Sequence, residues 1–162
     1  MHSNCEDLVR DFVKNYFPVS SEKKIIEVGS TNINGSIRHR FPDAEYVGVD
    51  IVAYDGVDIV MEDPYNFPFD NDTFDLAIST NTLEHCTRPW VTIKEMTRVV
   101  KPGGIVCNIA PWRFHVHKEG VPALDCFRIL EDGMRAMMED AGLEIIECFM
   151  HGEDTIGIGR KK

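Results

Sequence analysis

Leu8, Val9, Phe12, Val13, Tyr16 and Phe17 recur at i, i+1, i+4, i+5, i+8 and i+9 near the start of the chain. That spacing gathers them on one face of a helix, which Pro18 ends. After a polar break the period changes. Lys23-Lys24-Ile25-Ile26-Glu27-Val28-Gly29 is a short β-branched run closed by glycine, and it predicts a buried strand. Asn34-Gly35-Ser36 can cap a brief helix from Ile37 to Phe41, with Pro42 as its stop. Further strands are expected at Glu45–Asp50, Val57–Met61, Phe74–Ser79 and Gly104–Ile109. Between the last two, Trp90 to Val100 has helical spacing and is terminated by Lys101-Pro102-Gly103-Gly104. A helix from Glu131 to Ala141 ends at Gly142, and strands at Leu143–Met150 and Thr155–Gly159 complete the pattern. Residues 62–73 hold two prolines and little helical period, so that crossover reads as a loop or single turn. Apolar strands alternating with helices predict a parallel sheet covered on both faces.

Composition narrows this picture. At 162 residues the chain suits one α/β domain that buries about 70% of its unfolded surface. The formal charge of −10 argues against a nucleic-acid or anionic-membrane surface and suits a cationic ligand, although a solvated acidic surface also accounts for it. Five scattered cysteines without a CxxC spacing read as reduced thiols. The N-terminus has no signal-peptide pattern, and no apolar stretch approaches the roughly 20 residues of a membrane helix. A soluble, cytoplasmic protein is expected, with no membrane partner, as a monomer or homodimer.

In a doubly wound sheet, ligands bind beyond the carboxyl ends of the strands. Glu27 and Gly29 fall there after the first strand, Asp50 after the second, Glu62 and Asp63 after the third, and Ser79, Thr80 and Asn81 after the fourth. A carboxylate after the second strand can accept both hydroxyls of a ribose, and an acidic residue after the third can accept an adenine amino group. A glycine turn after the first strand lets backbone approach the ligand closely. Each feature alone is also explained as an ordinary turn or cap; their shared edge is what points to a ligand.

Ile25-Ile26-Glu27-Val28-Gly29-Ser30, Tyr46-Val47-Gly48-Val49-Asp50-Ile51, Asp63-Pro64-Tyr65-Asn66-Phe67-Pro68-Phe69 and Leu83-Glu84-His85 occur in that order. Glu95-Met96-Thr97-Arg98-Val99-Val100-Lys101-Pro102-Gly103-Gly104 follows. This series resembles the class I S-adenosylmethionine-dependent methyltransferases from about Lys23 to Gly104, with a looser match to the end. The first loop departs from the family's alternating glycines, reading Gly29-Ser30-Thr31-Asn32-Ile33-Asn34-Gly35-Ser36. The resemblance implies a single Rossmann-like, doubly wound domain over residues 1–162, whose mostly parallel seven-stranded sheet ends in a C-terminal antiparallel hairpin strand. It also implies S-adenosyl-L-methionine as cofactor. Asp50, with Ile51, would hold the ribose, and Asp63, flanked by Glu62 and Pro64, the adenine. Glu27, Gly29, Ser30 and Asn34 would surround the methionine moiety, and Ser79, Thr80 and Asn81 the methyl-transfer side.

The acceptor side falls on Ala110 to Arg128, a long aromatic segment rich in titratable groups that leaves the fifth strand at the same edge. His115, His117 and Asp125 are its candidates for taking the acceptor proton. Packing of Trp112, Phe114 and Phe127 with solvated histidines is the plainer reading, and methyl transfer by alignment alone needs no base. His85 reads as a packing residue at a helix start, and Met134, Met137, Met138 and Leu130 as a core-facing helix side. The expected function is methyl transfer by direct displacement to a small-molecule or glycan acceptor. The alternative is an S-adenosylmethionine-binding module without turnover that acts through a protein partner. A nicotinamide-dependent dehydrogenase is disfavoured because no GxGxxG follows the first strand.

Overall fold

A computed structural model of the chain describes residues 3–33, 35–118 and 124–162. Helix α1 (Ser3–Tyr16) buries Leu8, Val9 and Phe12, the predicted apolar stripe. Strands β1 (Lys24–Val28), β2 (Glu45–Asp50), β3 (Ile59–Val60) and β4 (Phe74–Thr80) follow. Helix α2 (Pro89–Val99) opens on a proline, which has no N–H to leave unpaired in a first turn. Next come β5 (Val100–Pro111), α3 (Glu131–Asp140), β6 (Leu143–His151) and β7 (Asp154–Lys161).

The strands form one seven-stranded sheet in the order β3-β2-β1-β4-β5-β7-β6. β1 pairs in parallel with both β2 and β4, and β4 with β5; β7 runs antiparallel between β5 and β6. Chain order reverses between β1 and β4, and that switch point sets where a ligand cleft opens. Two apolar layers hold the sheet. On one face α1 packs through Phe12 onto Ile25, Leu76, Ile78 and Ile158. On the other, Ile93 and Met96 of α2 and Met134 and Met138 of α3 pack onto Ile26, Ala77 and Val106. Leu130, on the same predicted helix side, is exposed.

Three elements differ from the sequence expectation. The helix expected from Ile37 to Phe41 is a single 3-10 turn, Arg38–Arg40. Its polar residues offer no second apolar turn, and burial of Ile37 and Phe41 holds it in place. The third strand shrinks to two residues; Asp58, just before it, donates its N–H to Gly48 O at 2.8 Å but meets Gly48 N with its side chain. Its Oδ2 accepts from Gly48 N at 2.7 Å and pairs with Arg38. β5 starts four residues early. Phe74 pairs with Val100 and Leu76 with Ile105, so the expected Lys-Pro-Gly-Gly terminator forms a bulge, with Gly103 at φ +80°.

Residues 62–73 contain no helix and are pinned by Arg98. Its guanidinium donates to the carbonyls of Phe67 and Phe69, to Asn71 and to Glu95. Among the described residues no helix is long and apolar enough to cross a membrane. The five cysteines are free thiols.

Candidate active site

The carboxyl ends of β1, β2 and β4 open onto a cavity of about 960 Å³. After β1 the chain turns at Gly29 (φ +81°), with Gly29 N and Ser30 N both donating to Val49 O. A Cβ on Gly29 would lie 1.9 Å from Thr82 Oγ1, so the β1 and β4 loops touch through a position that only glycine fills. Asp50 lines the cavity and organises the turn opposite. Its Oδ2 accepts from Thr31 Oγ1 at 2.6 Å, and its Oδ1 from Ile51 N at 2.7 Å.

Glu27 sits at the cavity floor, 5% exposed, and accepts from Tyr46 Oη at 2.7 Å. Burial lifts its carboxyl to about 7 against the opposing pull of Tyr46 and Arg38. The folded carboxyl thus holds its proton more tightly than the unfolded one. In the ligand-free protein this group's contribution to stability is fully present below about pH 4.5 and is lost as pH rises to about 7. A cationic ligand reverses the preference, because it favours the carboxylate. Cofactor affinity is therefore expected to rise on the order of tenfold between about pH 6 and about pH 8, and Glu27→Gln to flatten that slope. Titration calorimetry across the range checks this; an equal slope in both proteins contradicts it.

The far wall comes from the segments after β4 and β5. Asn81 adopts φ +49° and sends its Nδ2 to Asp154 Oδ1 at 3.0 Å, while Thr80 and Thr82 face the cavity. A 3-10 turn, Leu83–His85, adds Glu84 and His85 to the wall. Glu84 is fully buried, which raises its carboxyl to about 8, and burial lowers the His85 imidazole. The segment after β5 folds back onto this turn, with Cys126 N donating to Glu84 O at 2.7 Å. Arg128 shapes it by donating to Phe114 O, His115 O and both oxygens of Asp125. Phe114, His115 and His117 thereby reach the cavity.

Most of the residues singled out in the sequence meet here. Glu27, Gly29, Ser30, Asp50, Ile51, Pro64, Thr80, Asn81, His115 and His117 all line the cavity. Glu62 and Asp63 are exposed outside it, and Asp63 Oδ1 instead accepts from Tyr65 N at 2.8 Å. Ser79 is buried beneath the wall. Asp125 lies behind the wall, bound by Arg128 and by His117 N at 2.8 Å; the Arg128 guanidinium holds its carboxyl well below the usual range. That makes Asp125 a support for the segment and a poor proton acceptor. Asn34 and residues 119–123 lie outside the described residues. Sequence reasoning missed Tyr46, Glu84 and His85 as parts of the site; for His85 the signal was its place in the Leu-Glu-His stretch directly after β4.

A family profile described as a methyltransferase domain matches residues 26–108. Among curated proteins, the chain is similar to the chloroplastic 2-methyl-6-phytyl-1,4-hydroquinone methyltransferase 1 of Oryza sativa subsp. japonica. The identity is 40% over 60 residues, covering 37% of this chain and 18% of that protein. It is also similar to an uncharacterized methyltransferase of Mycobacterium tuberculosis, 51% identical over 39 residues, 24% of this chain and 15% of that one. The matched segments thus span less than a fifth of these relatives. Among solved structures, Burkholderia thailandensis 1,6-didemethyltoxoflavin-N1-methyltransferase superposes with a TM-score of 0.75 at 11% identity, covering 98% of this chain and 78% of that one. The [4+2]-cyclase SpnF gives 0.74 at 16% identity, covering 96% and 81%. These likenesses are of fold.

Proposed function

Because the chain belongs to the methyltransferase-domain family, we propose that it transfers the methyl group of S-adenosylmethionine to a small-molecule acceptor by direct displacement. The observation that carries this reading is one cavity shared by the Gly29 and Asp50 loops on one side and His115 and His117 on the other. The Gly29 turn receives the methionine end, with Glu27 beneath its ammonium group. Asp50 exchanges its bond to Thr31 for the ribose hydroxyls. Asp63, on the rim, reaches the adenine only if the turn it caps moves inward.

The acceptor enters beside Phe114, whose ring lies against those of His115 and His117, an aromatic wall suited to a flat ring. The rice relative's name specifies a hydroquinone and the Burkholderia enzyme's 1,6-didemethyltoxoflavin, and an aromatic acceptor fits both this wall and those names. In the transfer, the acceptor atom forms the new bond to the methyl carbon. The C–S electron pair stays on sulfur, and the acceptor proton goes to His115. Sulfonium becomes neutral thioether, which weakens its attraction to the acidic mouth and favours release. Alignment of acceptor, methyl carbon and sulfur supplies most of the acceleration.

The test is cofactor capture. Titration calorimetry is expected to show S-adenosylmethionine binding and no nicotinamide dinucleotide binding. Asp50→Ala should weaken the former by roughly ten- to a hundredfold, the loss of a charged acceptor worth about 1.5–3 kcal/mol. Unchanged affinity in folded Asp50→Ala protein would sink the assignment.

A further inference from the structure

Glu84 poses a problem that methyl transfer does not solve. Its side chain is fully buried and, among the described residues, neither carboxyl oxygen has a hydrogen-bond partner, yet it lines the cavity. A buried carboxylate is costly unless something charged or donating meets it. Two imidazoles stand beside it. One ligand atom each from Glu84, His85 and His117 lie within 4.8 Å of one another, and His85 Nε2 is 3.7 Å from Glu84 Oε1. Donors about 2.1 Å from a tetrahedral ion lie about 3.4 Å apart, so the trio must close by up to about 1.4 Å to share one.

We infer that Glu84, His85 and His117 bind one divalent transition-metal ion of the zinc class, with its remaining coordination positions open to the cavity. The imidazoles are oriented for it. His85 Nδ1 faces the carbonyl of Leu124, which only accepts, so Nδ1 carries the hydrogen and Nε2 presents its lone pair toward Glu84. Behind His117, Nδ1 lies 3.3 Å from His115 O and 3.6 Å from Asp125 Oδ2, the carbonyl and carboxylate backing common to metal-bound histidines. The hydrogen bonds from Cys126 N and Phe127 N to Glu84 O bring the two segments together.

Two nitrogens and one oxygen suit zinc, iron, cobalt, nickel or manganese, whereas calcium and magnesium prefer all-oxygen shells. Three protein ligands with an open position is the arrangement of catalytic ions. Resting on the methyltransferase reading, this narrows the acceptor to one with a hydroxyl that can coordinate the ion. Coordination lowers that hydroxyl's pKa. Its proton leaves to His115, the oxygen lone pair forms the O–CH3 bond, and the C–S pair remains on sulfur.

The experiment strips the purified chain with chelator and titrates it with zinc and, for spectra, cobalt. One ion per chain is expected, with micromolar or tighter zinc affinity and cobalt d–d bands of low coordination number. His117→Ala and the near-isosteric Glu84→Gln should each weaken zinc by at least roughly 30-fold, with S-adenosylmethionine affinity held within about threefold as evidence of an intact fold. Absence of stoichiometric binding, or unchanged zinc affinity in His117→Ala, overturns the site. Failure of the parent protein to bind S-adenosylmethionine overturns the methyltransferase reading instead and leaves the zinc result standing.

Discussion

His115→Ala is expected to lower methyl transfer by about 10²-fold while leaving S-adenosylmethionine affinity within about threefold. The ring is exposed, lines the cavity and lies tilted against Phe114 with centroids 4.2 Å apart, while its backbone carbonyl is held by Arg128 Nη2 at 2.9 Å. Fixed backbone and an accessible ring are what a proton acceptor needs. Added imidazole should restore part of the lost turnover, which a purely structural defect would not allow. Asp125→Ala should behave differently. It releases Arg128 and the His117 amide together, so the wall loosens and acceptor binding and turnover fall in parallel. Phenols and hydroquinones come first in the acceptor screen, then sugars and small carboxylates. Full turnover in His115→Ala, with a working acceptor in hand, leaves alignment to carry the reaction alone.

Gly29→Ala is expected to lower the melting temperature by about 10 °C and to abolish measurable cofactor binding. Two costs combine. An L-residue at φ +81° is strained by about 1–2 kcal/mol. The new methyl would also meet Thr82 Oγ1, Cγ2 and Cβ at 1.9, 2.4 and 2.7 Å. The Cβ cannot swing aside, and Oγ1 is tied to Thr80 O at 3.2 Å, so overpacking adds about 1–3 kcal/mol. At about 2–4 °C per kcal/mol for a chain of this size, the sum gives the stated shift. The double variant Gly29→Ala/Thr82→Gly should recover the contact cost and keep the backbone cost. Wild-type melting and affinity in the single variant refute the close approach.

The sheet was legible because each strand advertises itself locally. Ile25-Ile26-Glu27-Val28 and Phe74-Asp75-Leu76-Ala77-Ile78 are buried runs whose polar ends fall on one edge once the strands are parallel. That logic correctly gathers Glu27, Gly29 and Asp50. It fails at Glu62 and Asp63, which lie exposed outside the cavity while the flanking Met61 and Pro64 line it. His117 and the Leu-Glu-His stretch each stood out in the sequence, but the meeting of Glu84, His85 and His117 did not. They meet through backbone bonds from Cys126 and Phe127 to Glu84, and through an arginine fourteen residues from the carbonyl of Phe114 that it holds. No periodicity encodes such contacts. Likewise Asp125 looked like a proton carrier until Arg128, three residues on, proved to be its partner.

The placement of β7 between β5 and β6 has a consequence for synthesis. Ile105, Cys107 and Ile109 of β5 find their partners in Arg160, Ile158 and Ile156, about 50 residues later in the chain. At about 5–20 residues per second, a ribosome leaves that β5 edge unpaired for roughly 3–10 s after making it. Throughout that interval the nascent chain carries an apolar strand with an open ladder, the usual template for edge-to-edge association. Slower initiation, cooler growth or a chaperone that shields extended apolar segments should therefore raise the yield of soluble protein more than any change at the cavity.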